Sequence, residues 1–274
     1  MGTRGRGLAV IALALGLIAC ATTSVVGQTI WDDPAFSLFR QAMDAMNAKD
    51  FGRAAELTAQ AIATLPNHPL AYYVRGQAAA AQGRWEDAAA AFGKAAELYP
   101  GSFAAQRDLG ASLEHLDKAT DAAKAYEAAL ALRDEDELRA RMAFMLFEHG
   151  EGPKARAQLE RLTARDTKMP AVWSTLGRID YEEGEWAAAE KAYARASSLM
   201  DDGRTWFNLG VVRVRLQDYP GALQAFERAS KHPDVKQQAE AEVGRIREAM
   251  SRDTGPARQL RTPGQYSVPT PGGR

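Results

Sequence analysis

Small apolar residues return along this chain at intervals of 33 or 34. Ala54, Ala88, Ala122, Ala155, Ala189 and Ala222 are separated by 34, 34, 33, 34 and 33 residues. Four residues after each stands Thr58, Phe92, Tyr126, Leu159, Tyr193 or Phe226, and three before each stands Phe51, Trp85, Ala119, Gly152, Trp186 or Tyr219. A second column runs upstream through Ala42, Gly76, Gly110, Phe144, Gly177 and Gly210. Apolar positions three and four apart share one helix face, so each unit reads as two amphipathic helices joined by a turn. The small residue lets the partner helix approach closely, and the large residue fills the space beside it. Asp33-Pro34, Asn67 with Pro69, and Asp218 with Pro220 mark helix starts, with a capping residue ahead of a proline in the first turn. Pro66 and Pro100 close the second helices of the first two units. A bundle without repeats has no reason to keep such a period over six units.

Two units carry a fuller signature. Trp173-x-x-Leu176-Gly177 is followed by Ala189-x-x-x-Tyr193, and Trp206-x-x-Leu209-Gly210 by Ala222-x-x-x-Phe226. This pattern resembles the tetratricopeptide repeat, over roughly residues 35–233. The units at 69–102, 103–136, 170–202 and 203–234 match well. The first is weaker, with Ala42 and Thr58 at consensus positions. The unit at 137–169 is the poorest, with Phe144 where glycine is usual and Pro153 near its second helix. The resemblance implies an all-α fold, a right-handed α-solenoid of about six helix-turn-helix repeats. Residues 235–251 add a last amphipathic stretch, apolar at Val235, Ala239, Val243, Ile246 and Met250 and otherwise mostly charged or amide-bearing. That is the composition of a terminal capping helix, which covers the last repeat with one face and meets water with the other.

The two ends are of different character. Residues 1–6 carry two arginines and no acid, and an apolar run of about a dozen residues follows, too short for a membrane span. The run ends in Leu17-Ile18-Ala19-Cys20, and Cys20 is the one cysteine of the chain. This resembles the lipobox of bacterial lipoproteins, which implies cleavage before Cys20 and lipidation of its thiol. An ordinary secretory leader, cut at the small residues Ala19-Cys20-Ala21, is the alternative. The domain reading is therefore a leader at 1–19, a tether at 20–34, a repeat array with its capping helix at 35–253, and a tail at 254–274. The tail is punctuated by Pro-Gly pairs, has three arginines and no acid, and is expected to be disordered.

Composition narrows the function more by exclusion than by assertion. The net charge is −1, and removal of a leader with two arginines makes it −3, so no general attraction to nucleic acid is expected. No phosphate-binding loop, dinucleotide fingerprint, zinc-protease helix or nucleophile elbow occurs, so neither enzymatic activity nor a cofactor is expected. His115 and His149, one repeat apart, form a column with Glu182. Helices stacked about 8–10 Å apart do not by themselves bring three such side chains to one metal, and a solvated or partner-facing stripe is the expected reading. His68 and His232 are expected on solvated turns.

Taken together, the resemblances imply a membrane-anchored scaffold or adaptor that binds other proteins, in the assembly of a bacterial envelope complex such as pilus, secretion or motility machinery. Ala21 after Cys20 fits an outer-membrane lipoprotein facing the periplasm, loosely similar to lipid-anchored pilotin-type proteins. A soluble periplasmic adaptor, or a non-catalytic subunit of a cell-wall enzyme complex, is the alternative. In tetratricopeptide proteins the first helices line a concave groove for a protein or peptide partner. Carried onto this sequence, the groove positions are Phe36, Phe39, Met43, Tyr73, Gln77, Arg107, Arg141, Arg178, Tyr181, Arg204 and Phe207. The apolar members read as pockets and the arginines as partners for carboxylates. Arg204 and Asn208 resemble part of the family's carboxylate clamp, but its lysine and asparagine partners in adjacent units are missing, which puts a chaperone-tail ligand in doubt.

Overall fold

A computed structural model describes residues 34–252. The leader, Cys20, the tether up to residue 33, and the chain from 253 onward lie outside the described residues. Among the described residues there are thirteen α-helices and no strand. They are α1 (Pro34–Asn47), α2 (Phe51–Thr64), α3 (Pro69–Ala81), α4 (Trp85–Leu98), α5 (Phe103–His115), α6 (Ala119–Leu132), α7 (Asp136–Glu148), α8 (Gly152–Thr163), α9 (Pro170–Glu182), α10 (Trp186–Leu199), α11 (Gly203–Arg215), α12 (Tyr219–Ala229) and α13 (Lys236–Arg252). The fold is the all-α, tetratricopeptide-like array of hairpins that the period predicts, with α13 as the added terminal helix. No described helix is long and apolar enough to cross a membrane.

The helix starts follow local chemistry. Asp50, Asp202 and Asp218 cap α2, α11 and α12 by accepting hydrogen bonds from Arg53, Thr205 and Gly221 N–H groups at 2.8–3.0 Å. At α3 the cap is not Asn67 but His68, whose Nδ1 accepts from the Ala71 N–H at 3.1 Å. His68 also stacks on Phe39, with ring centroids 5.3 Å apart. It is a structural residue rather than a solvated one. Within each hairpin the turn is the same. The N–H groups of Asp50, Arg84, Lys118, Glu151, Glu185 and Asp218 each reach a carbonyl five residues back, at 2.8–3.0 Å. The residue before each adopts a left-handed backbone: Lys49, Gly83, Asp117, Gly150, Gly184 and Gln217. This is a C-terminal capping turn that closes the first helix and starts the second.

The chain divides into two compact units at Ser112 and Leu113, inside α5. In the first unit α1–α2 and α3–α4 form hairpins around Ala42, Ala54, Leu57, Val74 and Ala78, with Ala88 and Phe92 beyond. A Cβ added at Gly76 would sit 2.6 Å from the Phe92 ring, so the helices pack at a distance that only glycine permits. In the second unit a core runs from Tyr181, Ala189 and Tyr193 through Leu209, Val212 and Phe226. It continues to Val235, Ala239 and Ile246, so α13 buries one face against the last hairpin, as a capping helix does. Met250, expected on that face, is instead about half exposed.

The fourth hairpin corrects the sequence register by one residue. Helix α7 starts 33 residues after α5, not 34. The small residue packed against the partner helix is therefore Ala143, fully buried, and Phe144 turns away from it. The same shift separates Arg107, fifth residue of α5, from Arg141, sixth residue of α7, so the two are not equivalent. His115 ends α5, whereas His149 lies beyond α7 as its C-cap. There His149 Nε2 meets Asp117 Oδ1 at 2.8 Å, and among the described residues no cluster of His, Cys, Asp and Glu has the arrangement of a metal site.

Candidate interaction groove

The positions read from the sequence fall into three groups. Phe36, Phe39 and Met43 on α1 are half-buried, and Phe39 and Met43 pack against the core of the first two hairpins. Tyr181 and Phe207 sit inside the second unit's core. Tyr181 stands edge-on to Trp186 at 5.0 Å, and Phe207 edge-on to Phe226 at 5.2 Å. Neither offers an open surface, because the one-face periodicity of a helix does not separate a groove position from a core position beside it.

The polar members are engaged within the chain. In the first unit the Tyr73 hydroxyl donates to Asp108 Oδ2 at 2.8 Å and accepts from Gln77 Nε2 at 3.2 Å. Burial, and then the charge of Asp108, hold that hydroxyl above the usual phenol range. Arg107 Nε donates to the other oxygen of Asp108 at 2.8 Å. In the second unit Arg141 donates to Glu114 Oε2 at 2.9 Å, and the Tyr126 hydroxyl donates to the same oxygen at 2.5 Å. Arg178 donates to Glu182 at 3.0 Å and lies 4.8 Å from the Phe147 ring centroid. Arg204 Nε lies 3.5 Å from Asp234. The arginines thus stand beside carboxylates of their own chain.

One concavity in the second unit brings several of these residues together. It has a volume of about 540 Å³ and is walled by the first helices of three successive hairpins, α7, α9 and α11. Phe144, Phe147 and Met200 provide apolar surface, and Arg178 and Arg204 stand in the wall with Glu148 and Asp202. Tyr193 and Asn208 reach it from α10 and α11. Tyr193 is fully buried and Asn208 is 6% exposed, and the Asn208 side chain is the hydrogen-bonding neighbour of the Tyr193 hydroxyl. The ring of Tyr193 lies over Gly177, where an added Cβ would be 3.1 Å away, so the hydroxyl cannot swing elsewhere. Burial raises its pKa far above the usual range, so it stays protonated. Sequence reasoning passed over Phe147, Ser174, Met200 and Thr205. The available signal was Phe144, a large apolar side chain that the corrected register turns away from the partner helix.

Comparison with known proteins agrees with this architecture. The tetratricopeptide repeat model matches residues 39–103, 77–137, 146–199 and 174–235, and the chain belongs to that family. It is accordingly a tetratricopeptide scaffold for protein–protein interaction, a fold that in general carries no catalysis. No curated protein matches the sequence. Among solved structures, the C-terminal part of a TPR repeat-containing protein from Cytophaga hutchinsonii is similar at 17% identity and TM-score 0.64, covering 78% of this chain and 89% of that one. YrrB, described as a TPR protein with an unusual peptide-binding site, is 19% identical with TM-score 0.58, covering 69% and 98%. PilW, described as a widely conserved type IV pilus biogenesis factor, is 16% identical with TM-score 0.50, covering 77% and 99%. At these identities the likeness concerns the fold.

Proposed function

We propose that this protein is a membrane-anchored adaptor of the bacterial envelope that holds a segment of a partner protein in the groove of α7, α9 and α11. The observation that carries the reading is the concavity of about 540 Å³ itself, walled by the first helices of three successive hairpins and apolar at Phe144, Phe147 and Met200. A concave, largely apolar surface with a few polar groups in its wall is the kind of place where a ligand segment is held. The peptide-binding site named for YrrB supports a peptide ligand, and the pilus role named for PilW supports an envelope assembly machine. The leader and Cys20 support an outer-membrane lipoprotein facing the periplasm. Residues 21–34 would then tether the array within roughly 45–50 Å of the membrane, the reach of an extended chain of that length.

A photo-crosslinking amino acid at Ala171, an exposed residue of the groove wall, tests the site in cells. It should capture a discrete partner, whereas the same group at Lys191, exposed on α10 and not part of that wall, should not. Equal capture from both positions would move the interface elsewhere. Cys20→Ser should leave the protein unprocessed or release it from the membrane fraction. Normal processing with unchanged fractionation would overturn the anchor and leave a soluble adaptor.

A further inference from the structure

We propose that His149 and Asp117 form a proton-operated latch between the third and fourth hairpins, closed while the His149 ring carries its charge and open once the ring is neutral. Both residues follow Leu113, so the latch lies wholly within the second unit.

The hydrogen-bond geometry carries this inference. His149 is the C-cap of α7. Its Nδ1 lies 2.8 Å from the Met145 carbonyl oxygen, and its Nε2 lies 2.8 Å from Asp117 Oδ1. A carbonyl and an ionised carboxylate accept and do not donate, so each contact is a hydrogen bond only if the ring nitrogen donates. A neutral imidazole has one N–H to give and the imidazolium has two. Both bonds therefore exist together only in the charged ring. The Met145 carbonyl also accepts from the His149 backbone N–H at 3.1 Å, which seats the ring on the last turn of α7, where the helix dipole favours a cation.

The surrounding charge agrees. Asp117 reaches the ring from the turn between α5 and α6, and Glu148 stands beside it on α7; both favour the protonated ring. The α5–α6 side also carries Glu114, His115 and Lys118, of which Glu114 is held by Arg141 and Tyr126. On the α7–α8 side Glu151 pairs with Lys154 at 3.1 Å, and in the next turn Glu183 is held by Arg156. Ahead of the left-handed residue the six hairpin turns carry Ala48, Gln82, Leu116, His149, Glu183 and Leu216, so one junction alone has a group that titrates near neutrality. The acid it needs stands one hairpin earlier, at the left-handed position. Phe147 and Glu148, immediately before the latch, belong to the wall of the concavity. On the groove reading above, the same proton also sets how firmly that end of the wall is held.

Histidine-ring NMR and amide hydrogen exchange on the purified full-length chain test the latch. At about pH 6 both ring nitrogens of His149 should carry protons, and the ring should titrate above the ordinary value of about 6.5. Between about pH 6 and about pH 8, with the intrinsic effect of pH on exchange divided out, protection of the Lys118, His149 and Glu151 amides should fall about threefold or more. These amides close the two turns on the carbonyls of Leu113, Met145 and Leu146. The Glu185 amide, which closes the next turn on Asp180, should keep its protection. His149→Gln, which takes up no proton, should show the low protection at both pH values, and Asp117→Asn should lower the His149 midpoint. A ring that is neutral at about pH 6 would overturn the latch. So would protection that does not change with pH, that still changes in His149→Gln, or that falls equally at Glu185. The measurement needs no ligand, so its failure is distinct from failure of the groove, which crosslinking from Ala171 judges.

Discussion

Arg156 of α8 donates from Nη1 to Oδ1 of Asp180 on α9 at 2.6 Å, and this ion pair joins the fourth hairpin to the fifth. The Asp180 side chain is 4% exposed and that of Arg156 24%. Burial raises the Asp180 pKa even though Arg156 opposes it, so ionisation of this carboxyl costs the folded state some stability. Arg156→Met should therefore lower stability by about 3–5 kcal/mol at neutral pH, the cost of a stranded buried charge. Asp180→Asn in the same chain should restore most of it. Chemical denaturation of the single and double variants checks this, and equal losses in both would show that the ion pair is not the cause.

The contact of Gly210 with Phe226 predicts a steric effect. An added Cβ would stand 2.8 Å from the ring, which is itself fully buried and has no room to retreat. Gly210→Ala should cost about 1–3 kcal/mol, typical of overpacking. Gly244, with nothing within 4 Å, provides the control, and Gly244→Ala should be neutral or slightly stabilising. A thermal melt that treats the two alike would count against the packing described.

The hairpin turns predict opposite signs at equivalent places. Gly83 has φ +70° with open space around its Cα, so Gly83→Ala should cost about 1–2 kcal/mol through backbone strain alone. Gln217 adopts φ 63° without being glycine. Gln217→Gly should then raise the unfolding midpoint, with a net gain of about 0.5–1 kcal/mol after the larger entropy of the unfolded glycine is counted. A fall on Gln217→Gly would mean that the side chain contributes more than the strain it imposes.

Stability should depend on pH from two sides. Arg165 and Arg139 hold Asp134 down to about 2, and Lys168 and Arg195 lower Asp166. Depressed carboxyl pKa values contribute stability that is complete above the ordinary value of about 3.9 and is lost as pH falls through the folded values. His149 moves the other way, raised mainly by its hydrogen bond to Asp117. Its contribution is complete below the ordinary value of about 6.5 and is lost as pH rises through the folded one. Melting temperature against pH should thus fall below about pH 4 and fall more gently above about pH 6.5. Asp117→Asn should remove the alkaline fall, and Asp134→Asn should flatten the acid one. An alkaline fall that survives Asp117→Asn would assign it to another group.

Much of the fold was legible because each hairpin must repeat one close contact to bury its face. That requirement writes Ala54 through Ala222, with their companions Phe92, Tyr126, Tyr193 and Phe226, into the chain at a nearly fixed period. Asp218 with Pro220 likewise announced a helix start, because a cap is a local arrangement of neighbouring residues. The fourth hairpin was misread because Ala143 and Phe144 are adjacent and both apolar, and only packing against the partner helix selects the smaller. Tyr181 and Phe207 were read as groove residues for a related reason: one step around a helix separates its open face from its buried one.

The sequence by itself determined the class, the number of hairpins and the terminal capping helix, since periodic burial of small and aromatic residues leaves no other arrangement of comparable stability. Only the tertiary structure decided which polar groups are satisfied. Arg141 finds Glu114 27 residues away, Arg156 finds Asp180 24 residues away, and no periodicity encodes either choice. Long side chains pair across stacked helices according to where the backbones place them, and the same placement brings Tyr193 and Asn208 together in the wall of the groove.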